Sequence, residues 1–294
     1  MDGWAGIDEF VAAALAGSFS AAAGRLGCSV THISRSVARL EKRLDARLFH
    51  RTTRRVTLTD TGQTFLRQAE RLVAERDEAI ASVTSTGEPQ GALRITCSTA
   101  MGELFIAPIV NRYAALHPRL SVTMELTNRL VDLIADNFDL AIRTGAMADS
   151  QLIRTRIASR SFSSCAAPVY LDRRGRPRTP EDLAGQDCLL GSTSTWHFSV
   201  DGRDVIYRPR GRLRVNSGRA VLDAALQGMG ICQLPEFYVL PYLRTGALEP
   251  VLEDSRPRDE PIWAVYPQRR HLLPKVTALV AMLRRELPKA LIAG

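Results

Sequence analysis

Residues 17–44 read GSFSAAAGRLGCSVTHISRSVARLEKRL, and this stretch decides the fold of the N-terminal part of the chain. Ser18 and Ser20 are favourable N-cap residues for a short helix of small residues, and Gly27 supplies a turn after it. Ser29 can cap a longer helix that runs to the end of the stretch. The pattern therefore predicts two helices joined by a tight turn.

In the longer helix, apolar side chains recur every three or four residues, at Val30, Ile33, Val37, Leu40 and Leu44. The opposite face is polar and basic, which predicts a helix-turn-helix whose second helix enters the major groove of DNA. Arg35 suits a bidentate bond to guanine, while Thr31 and His32 can contact base edges or a thymine methyl. Ser29 and Ser34 are expected to bind phosphate.

The sequence on either side completes a winged version of this motif. A first amphipathic helix is predicted near residues 7–16, and the extended runs 48–49 and 56–58 predict a small β-wing. Arginines at its tip suit phosphate or minor-groove contacts, although Arg51 could instead pair with Glu41 and fix the wing. The full set of expected DNA contacts is Ser29, Thr31, His32, Ser34, Arg35, Arg39, Arg51, Arg54 and Arg55.

Positive charge is concentrated in the same region. The net charge of the chain is +8 at pH 7, and the segment from Arg25 to Arg55 holds nine basic against two acidic side chains. Such an excess indicates a surface for a polyanion, with a solvated helical face as the alternative.

Other composition features exclude several classes of protein. The cysteines form no CxxC pair, so we expect buried reduced thiols and no metal or cofactor, with a redox switch between two of them as the alternative. The N-terminus has no basic run and no apolar stretch approaches about 18 residues, so we expect a cytoplasmic protein without a membrane span. The five cysteines are Cys28, Cys97, Cys165, Cys188 and Cys232.

Sequence motifs typical of enzymes are missing. Ser98, Ser192 and Ser217 lack the G-x-S-x-G frame of a serine hydrolase, and no P-loop or complete dinucleotide-binding glycine motif follows a predicted strand. The five histidines form no i, i+4 pair for a metal. We therefore expect a protein that is not an enzyme, with an extracytoplasmic solute-binding protein or an architectural DNA binder as the other classes.

A long helix is predicted after Thr59, and residues 61–90 read as a linker. On an isolated helix its apolar stripe would be exposed to water. Pairing with the same helix of a second chain is therefore expected, with packing inside one chain as the alternative. The stripe consists of Phe65, Leu66, Ala69, Leu72, Val73, Ile80 and Val83.

From Gly91 onward, short β runs alternate with helices. Strands are predicted at 93–97, 120–126 and 140–143, and helices at 104–117 and 131–135, which indicates a mainly parallel α/β sheet. Ligands of such sheets bind beyond the carboxyl ends of the strands, where polar loops and arginines would suit an anion. We expect a second lobe over about 163–266 and a return to the first lobe at Pro267.

The N-terminal sequence resembles that of the LysR family of transcriptional regulators. The resemblance starts at Phe10 and the run from Gly17 to Ala23, and it continues through Leu48-Phe49-His50-Arg51 to Val56-Thr57-Leu58-Thr59-Asp60-Thr61-Gly62. Val30-Thr31-His32 departs from the family's usual Gln-Pro-Ala/Ser at the start of the reading helix. Asp139 to Gly145, Gly228-Met229-Gly230-Ile231 and the run from Pro267 to Val276 extend the resemblance to about residues 6–290.

The resemblance implies a DNA-binding domain at 1–60 and an effector domain at 91–294. The effector domain would consist of two Rossmann-like lobes, as in type 2 periplasmic binding proteins, with lobe I at about 91–162 and 267–294. It also implies a dimer or tetramer. From the two-part layout we further hypothesise that bound effector changes the contact with RNA polymerase. The expected effector contacts are Ser98, Thr99, Thr127, Asn128, Arg143, Thr144, Ser192, Thr193, Thr195, Trp196 and Ser217, with helix capping, a structural ion pair for Arg143 and core packing for Trp196 as alternatives.

Overall fold

The computed structural model describes residues 3–51, 56–84, 87–129, 131–145, 152–270 and 273–293. The chain divides into two compact units, Met1–Thr86 and Gly87–Gly294. Each unit has a hydrophobic core of its own.

The described part of the first unit consists of four helices and a two-stranded antiparallel sheet. Its elements are α1 (Ile7–Ala16), α2 (Phe19–Leu26), α3 (Val30–Leu44), β1 (Phe49–Arg51), β2 (Val56–Leu58) and α4 (Asp60–Thr84). Gly17 and Gly27 end α1 and α2 with φ angles of 62° and 65°, a left-handed conformation that glycine adopts at low cost. The predicted helices and both wing strands are confirmed.

Aromatic side chains from three elements form the centre of this unit. The ring of Phe10 in α1 lies 5.3 Å from that of Phe49 and 5.2 Å from that of Phe65. Gly62, in the first turn of α4, packs so closely on the carbonyl of Leu48 that a Cβ would lie 2.0 Å from the oxygen. The start of α4 is thus fixed against the wing.

The first lobe of the second unit contains a five-stranded sheet in the order β4-β3-β5-β14-β6. Its strands are β3 (Gly91–Cys97), β4 (Leu120–Leu126), β5 (Leu140–Thr144), β6 (Leu152–Arg160) and β14 (Glu260–Pro267), with β14 antiparallel to both of its neighbours. Helices α5 (Thr99–Met101), α6 (Ala107–Leu116) and α10 (Pro274–Ala293) accompany it, and a π-helical turn, Gly102–Ile106, leads into α6.

The second lobe is built from smaller sheets. Strand β7 (Phe162–Ala166) lies between β12 (Cys232–Pro235) and β13 (Glu249–Val251), while β8 (Leu189–Leu190) pairs with β11 (Leu213–Arg214) and β9 (Trp196–Val200) with β10 (Arg203–Tyr207). Its helices are α7 (Pro168–Arg174), α8 (Gly218–Leu226) and α9 (Glu236–Arg244).

Two predictions about this unit are wrong. Residues 131–135 form no helix: the Asp132 carboxylate accepts the N–H groups of Ile134 and Ala135, and Asn137 takes a left-handed φ of 57°, so the segment closes into a turn. The chain also returns to the first lobe at Glu260 rather than Pro267, because the whole of β14 pairs with β5 and β6. Lobe II therefore ends before residue 260.

Candidate DNA-binding face and effector cleft

Helix α3 presents the predicted reading face to solvent. Ile33, Val37 and Leu40 are buried, which leaves Thr31 and Arg35 exposed on the other side of the helix. The Ser29 hydroxyl accepts the N–H of His32 at 3.1 Å and so starts the helix, as the cap residue does in a helix-turn-helix. Ser34 is half-buried, and Arg39 is exposed with its Nε donating to the carbonyl of Arg35 at 3.4 Å. The face is polar, basic and accessible.

His32 has a partner within the chain that the sequence did not reveal. Its Nε2 lies 2.9 Å from Oε1 of Glu9, which reaches it from α1. The imidazole is therefore anchored at the start of the reading helix, and the other ring nitrogen, Nδ1, is the atom left for a base edge. Glu9 and His32 are 23 residues apart and on different helices, so no local pattern joins them.

The wing is fixed by Glu41. Its Oε1 accepts the backbone N–H groups of Leu48 and Phe49 at 2.9 and 3.1 Å, at the beginning of β1. The side chain of Arg51, and residues Arg54 and Arg55 as a whole, lie outside the described residues, so these three DNA contacts stay predictions.

The first half of α4 packs inside the unit, which corrects the expectation that the whole stripe awaits a second chain. Ala69 is fully buried, and Phe65, Leu66 and Val73 pack on the same core. Arg76 also forms a bidentate salt bridge with Asp8, in which Nη1 and Nη2 lie 2.6 and 2.8 Å from the two carboxylate oxygens. By contrast, Leu72 remains 44% exposed and Ile80 53% exposed. The side chain of Val83 is outside the described residues.

Loops from both lobes meet at the carboxyl ends of β3 and β4. Thr99, just after β3, donates its N–H to Oδ1 of Asn128 at 3.2 Å. Asn128 donates from Nδ2 to the carbonyl of Asn216, in the second lobe, at 3.2 Å, and the Ser192 hydroxyl reaches the same carbonyl at 3.3 Å. The side chains of Asn128 and Ser192, from two of the predicted loops, thus converge on one backbone oxygen, and Thr99 is joined to Asn128. A main-chain carbonyl leaves no mark on a sequence, which is why Asn216 was missed.

Arg143, at the end of β5, is a half-buried cation. Its Nη2 is buried, and none of the residues that the structure describes forms a hydrogen bond with it. Burial lowers the pKa of this guanidinium and raises the pKa of the neighbouring Cys97 thiol to about 12. The structural ion pair considered as an alternative is therefore not formed within the described residues. A partly desolvated arginine in this condition attracts an anion.

The remaining predicted effector residues have structural roles. Trp196 is only 3% exposed and packs with Phe198 in the core of the second lobe, because its strand β9 turns this side chain inward, so its expected contact with effector is replaced by core packing. Ser217 caps α8, and the Thr193 hydroxyl donates to the carbonyl of Thr195.

Two threonine hydroxyls beside the strand ends are also engaged. Oγ1 of Thr127 accepts the N–H of Arg129 at 3.2 Å, and Oγ1 of Thr144 accepts from Nη2 of Arg160 at 3.0 Å. Ser98 is half-buried where β3 ends. A hydroxyl that already accepts one such bond can still donate to a ligand.

The described residues contain no group of three metal-ligating side chains, and no described helix is long and apolar enough to cross a membrane. The five cysteines are free thiols, four of them buried. Sγ of Cys165 lies 3.6 Å from Sγ of Cys232, and both are completely enclosed.

A capped, basic reading helix in one unit and polar loops meeting between two lobes in the other define the class of helix-turn-helix regulators with a ligand-binding domain. Two family models match: a bacterial regulatory helix-turn-helix protein of the lysR family over residues 6–63, and a LysR substrate binding domain over residues 86–288. The chain belongs to the LysR family of transcriptional regulators. These are DNA-binding proteins and not enzymes.

Individual relatives span almost the whole chain. An uncharacterized HTH-type transcriptional regulator of Haemophilus influenzae is 34% identical, with 89% of this chain and 93% of the relative covered. The HTH-type transcriptional activator TtdR of Escherichia coli K12 is 33% identical, with 91% and 88% covered. The structure of CrgA, a LysR-type transcriptional regulator from Neisseria meningitidis, matches with a TM-score of 0.59 and 30% identity over 96% of this chain and 98% of CrgA.

Proposed function

We propose that this regulator binds operator DNA as a dimer or tetramer and changes transcription when a small organic anion occupies the junction between its lobes. The observation that carries the effector class is Arg143, whose buried Nη2 has no hydrogen-bond partner among the described residues. We also propose residues 1–60 as the DNA-binding domain, 61–90 as the linker and 91–294 as the effector domain, and a cytoplasmic location, where the chromosome is.

On DNA, α3 would lie in the major groove. Arg35 and Thr31 would read bases, and the Nδ1 atom of His32 would join them while Glu9 holds the other ring nitrogen. The remaining predicted contacts, Ser29, Ser34, Arg39, Arg51, Arg54 and Arg55, would bind phosphate or the minor groove and set affinity rather than sequence preference.

A second chain would cover the outward face of α4. The face with Ala69 and Val73 is already packed, so the exposed Leu72 side chain marks where an apolar partner surface is needed. Dimerisation would also supply the two reading helices that paired half-sites require. A contact with RNA polymerase is a further step of this proposal.

The effector would act by biasing a two-state equilibrium. Ser98, Thr99, Asn128 and Ser192 would bind the polar groups of the ligand while Arg143 binds its carboxylate or phosphate. Because Asn128 and Ser192 already meet at the Asn216 carbonyl, a ligand inserted there changes how the lobes approach each other. A ligand shifts the equilibrium only as far as it prefers one of the two states.

Thermal unfolding of the full chain with succinate, benzoate, phthalate and inorganic phosphate tests the effector class. At least one organic anion should raise the unfolding temperature, and Arg143→Gln should remove that rise because it deletes the only charge the proposal uses. Arg214→Gln, which changes an exposed arginine of the second lobe, is the matched control and should keep the rise. An equal response of both variants would contradict the assignment of Arg143.

A further inference from the structure

A groove of about 740 Å³ is lined by residues none of which is among the expected effector contacts. Its floor is β6, and its walls are α9 and the C-terminal half of α10. A volume of this size is typical of sites for small organic molecules. We propose that this groove is a second ligand site, for a small organic anion with an apolar body, and this inference does not depend on the effector cleft or on DNA binding.

The groove carries positive charge that the protein does not neutralise. Arg156, Arg244 and Arg284 line it, and none of their side chains forms an ion pair or hydrogen bond with any residue in the described part of the chain. Two acids also line it, and Glu236 is paired with a cation whereas Asp259 is not, so three arginines stand against one acidic charge. Glu236 pairs with Arg256, and Asp259 accepts the hydroxyl of Ser161 at 2.6 Å.

The same groove offers an apolar wall for the body of a ligand. Phe237 and Leu240 of α9 face Leu291 and Ile292 of α10, and Ile292 is 80% exposed. Burying these side chains stabilises a complex in proportion to the apolar area removed from water. An inorganic ion would gain nothing from this wall, so the chemistry favours an anion with an apolar part.

The backbone of β6 also borders the groove. Side chains of a strand alternate between its two faces, yet the six consecutive residues 156–161 all line the groove, so it follows the edge of the strand. Strand β6 is the end strand of its sheet and pairs only with β14 among the described residues. The free edge supplies backbone N–H groups for the polar end of a ligand.

The position of the groove joins both lobes. The chain crosses between the lobes near Ser161 and Asp259, Glu236 at the start of α9 lies beside these crossings, and all three residues line the groove. They are tied together, because the N–H of Glu236 donates to the carbonyl of Ser161 at 3.0 Å and the Ser161 hydroxyl donates to Asp259. A ligand in the groove therefore touches both crossing segments and the start of α9.

Calorimetric titration of the full chain with 2-naphthoate tests this site, using Arg143→Gln as the background so that the effector cleft contributes least. We expect saturable binding of one 2-naphthoate per chain, and weaker binding of the uncharged 2-naphthalenemethanol. The double change Arg156→Gln, Arg284→Gln should weaken 2-naphthoate binding about tenfold by removing two cations. The pair Arg208→Gln, Arg214→Gln, also exposed but outside the groove, should leave it unchanged.

A second variant distinguishes loss of the ligand site from loss of the fold. Ile292→Glu changes a side chain that is largely exposed, so the fold should survive, and it places a negative charge where the anion would lie. We expect loss of 2-naphthoate binding with an unchanged unfolding temperature in the absence of ligand. Absence of saturable binding, or equal affinity in Ile292→Glu, the double variant and the background, would overturn the proposal.

Discussion

The DNA-binding face and the effector junction are built in opposite ways. The reading face lies on one helix, where the buried side of α3 and the cap at Ser29 determine which side chains reach solvent. The junction is assembled from Thr99, Asn128, Ser192 and Asn216, which lie far apart along the chain. Local periodicity therefore specifies the first site, whereas tertiary packing specifies the second.

The largest loss of stability is expected from a substitution of Gly62, where the first turn of α4 packs on the backbone of Leu48. A Cβ at this position would lie 2.0 Å from the carbonyl oxygen of Leu48, a backbone atom that cannot rotate away. Gly62→Val should destabilise the first unit by more than about 3 kcal/mol and abolish DNA binding. Far-ultraviolet circular dichroism during urea unfolding measures the change in stability.

Gly24→Ala is the matched control for that change. A Cβ at Gly24 meets nothing within 4 Å, and alanine is a better helix former than glycine, so this variant should be as stable as the parent or more so. Equal destabilisation by both substitutions would mean that the close approach of α4 to the wing does not stabilise the unit.

Substitutions of Trp196 and Ser192 in the second unit distinguish the effect of core packing on stability from the effect of the polar loop on ligand binding. Trp196→Ala should lower the free energy of unfolding by about 3–5 kcal/mol, because it empties part of a buried core. Ser192→Ala, at an exposed loop position, should leave the unfolding free energy nearly unchanged and weaken the response to an anion. Chemical denaturation of both variants measures these effects, and a stable Trp196→Ala protein would contradict the burial of the indole.

These differences explain what the sequence could predict. Caps, turns and the apolar period of α3 are properties of adjacent residues, so the helix-turn-helix was predicted with its boundaries. The tie from Glu9 to His32 and the carbonyl of Asn216 depend on distant segments and had no sequence signal. Residues 131–135 failed as a helix because the Asp132 side chain and the left-handed Asn137 close a turn that periodicity does not detect.

Arg35 and Arg54 test the division of labour on the DNA-binding face. Arg35→Ala should relax base preference at one operator position by about 1–3 kcal/mol, since a guanine contact carries sequence information. Arg54→Ala should instead weaken binding to all DNA and lower its salt dependence. Fluorescence anisotropy on a set of single-base operator variants measures both, and equal losses on specific and random DNA for the two variants would disprove the division.

The smallest expected change in stability concerns Asp182 in the second unit. Like Ser29 at the start of α3, it makes its hydrogen bonds with residues close to it in the sequence. Its carboxylate accepts the N–H groups of Thr179 and Arg178, which holds its pKa below the ordinary value of 3.8. Its stabilising effect is present above that value and is lost as the pH falls through the folded pKa.

Asp182→Asn should therefore lose less unfolding free energy than the parent as the pH falls from above 3.8 through the folded pKa of Asp182, because the titrating group is gone. Acid unfolding followed by tryptophan fluorescence measures this, with Asp254→Asn, a change at another exposed aspartate, as the control. Parallel acid profiles for the parent and Asp182→Asn would contradict the prediction.

A salt-series anisotropy titration of the full chain tests the central claim most directly, with DNA from upstream of the protein's own gene beside random DNA of equal length. The proposed reading helix and its arginines predict tighter binding to the upstream DNA and a steep loss of affinity with added salt on both DNAs. Failure to bind either DNA at low salt would contradict the assignment of α3 and the wing as a DNA-binding face.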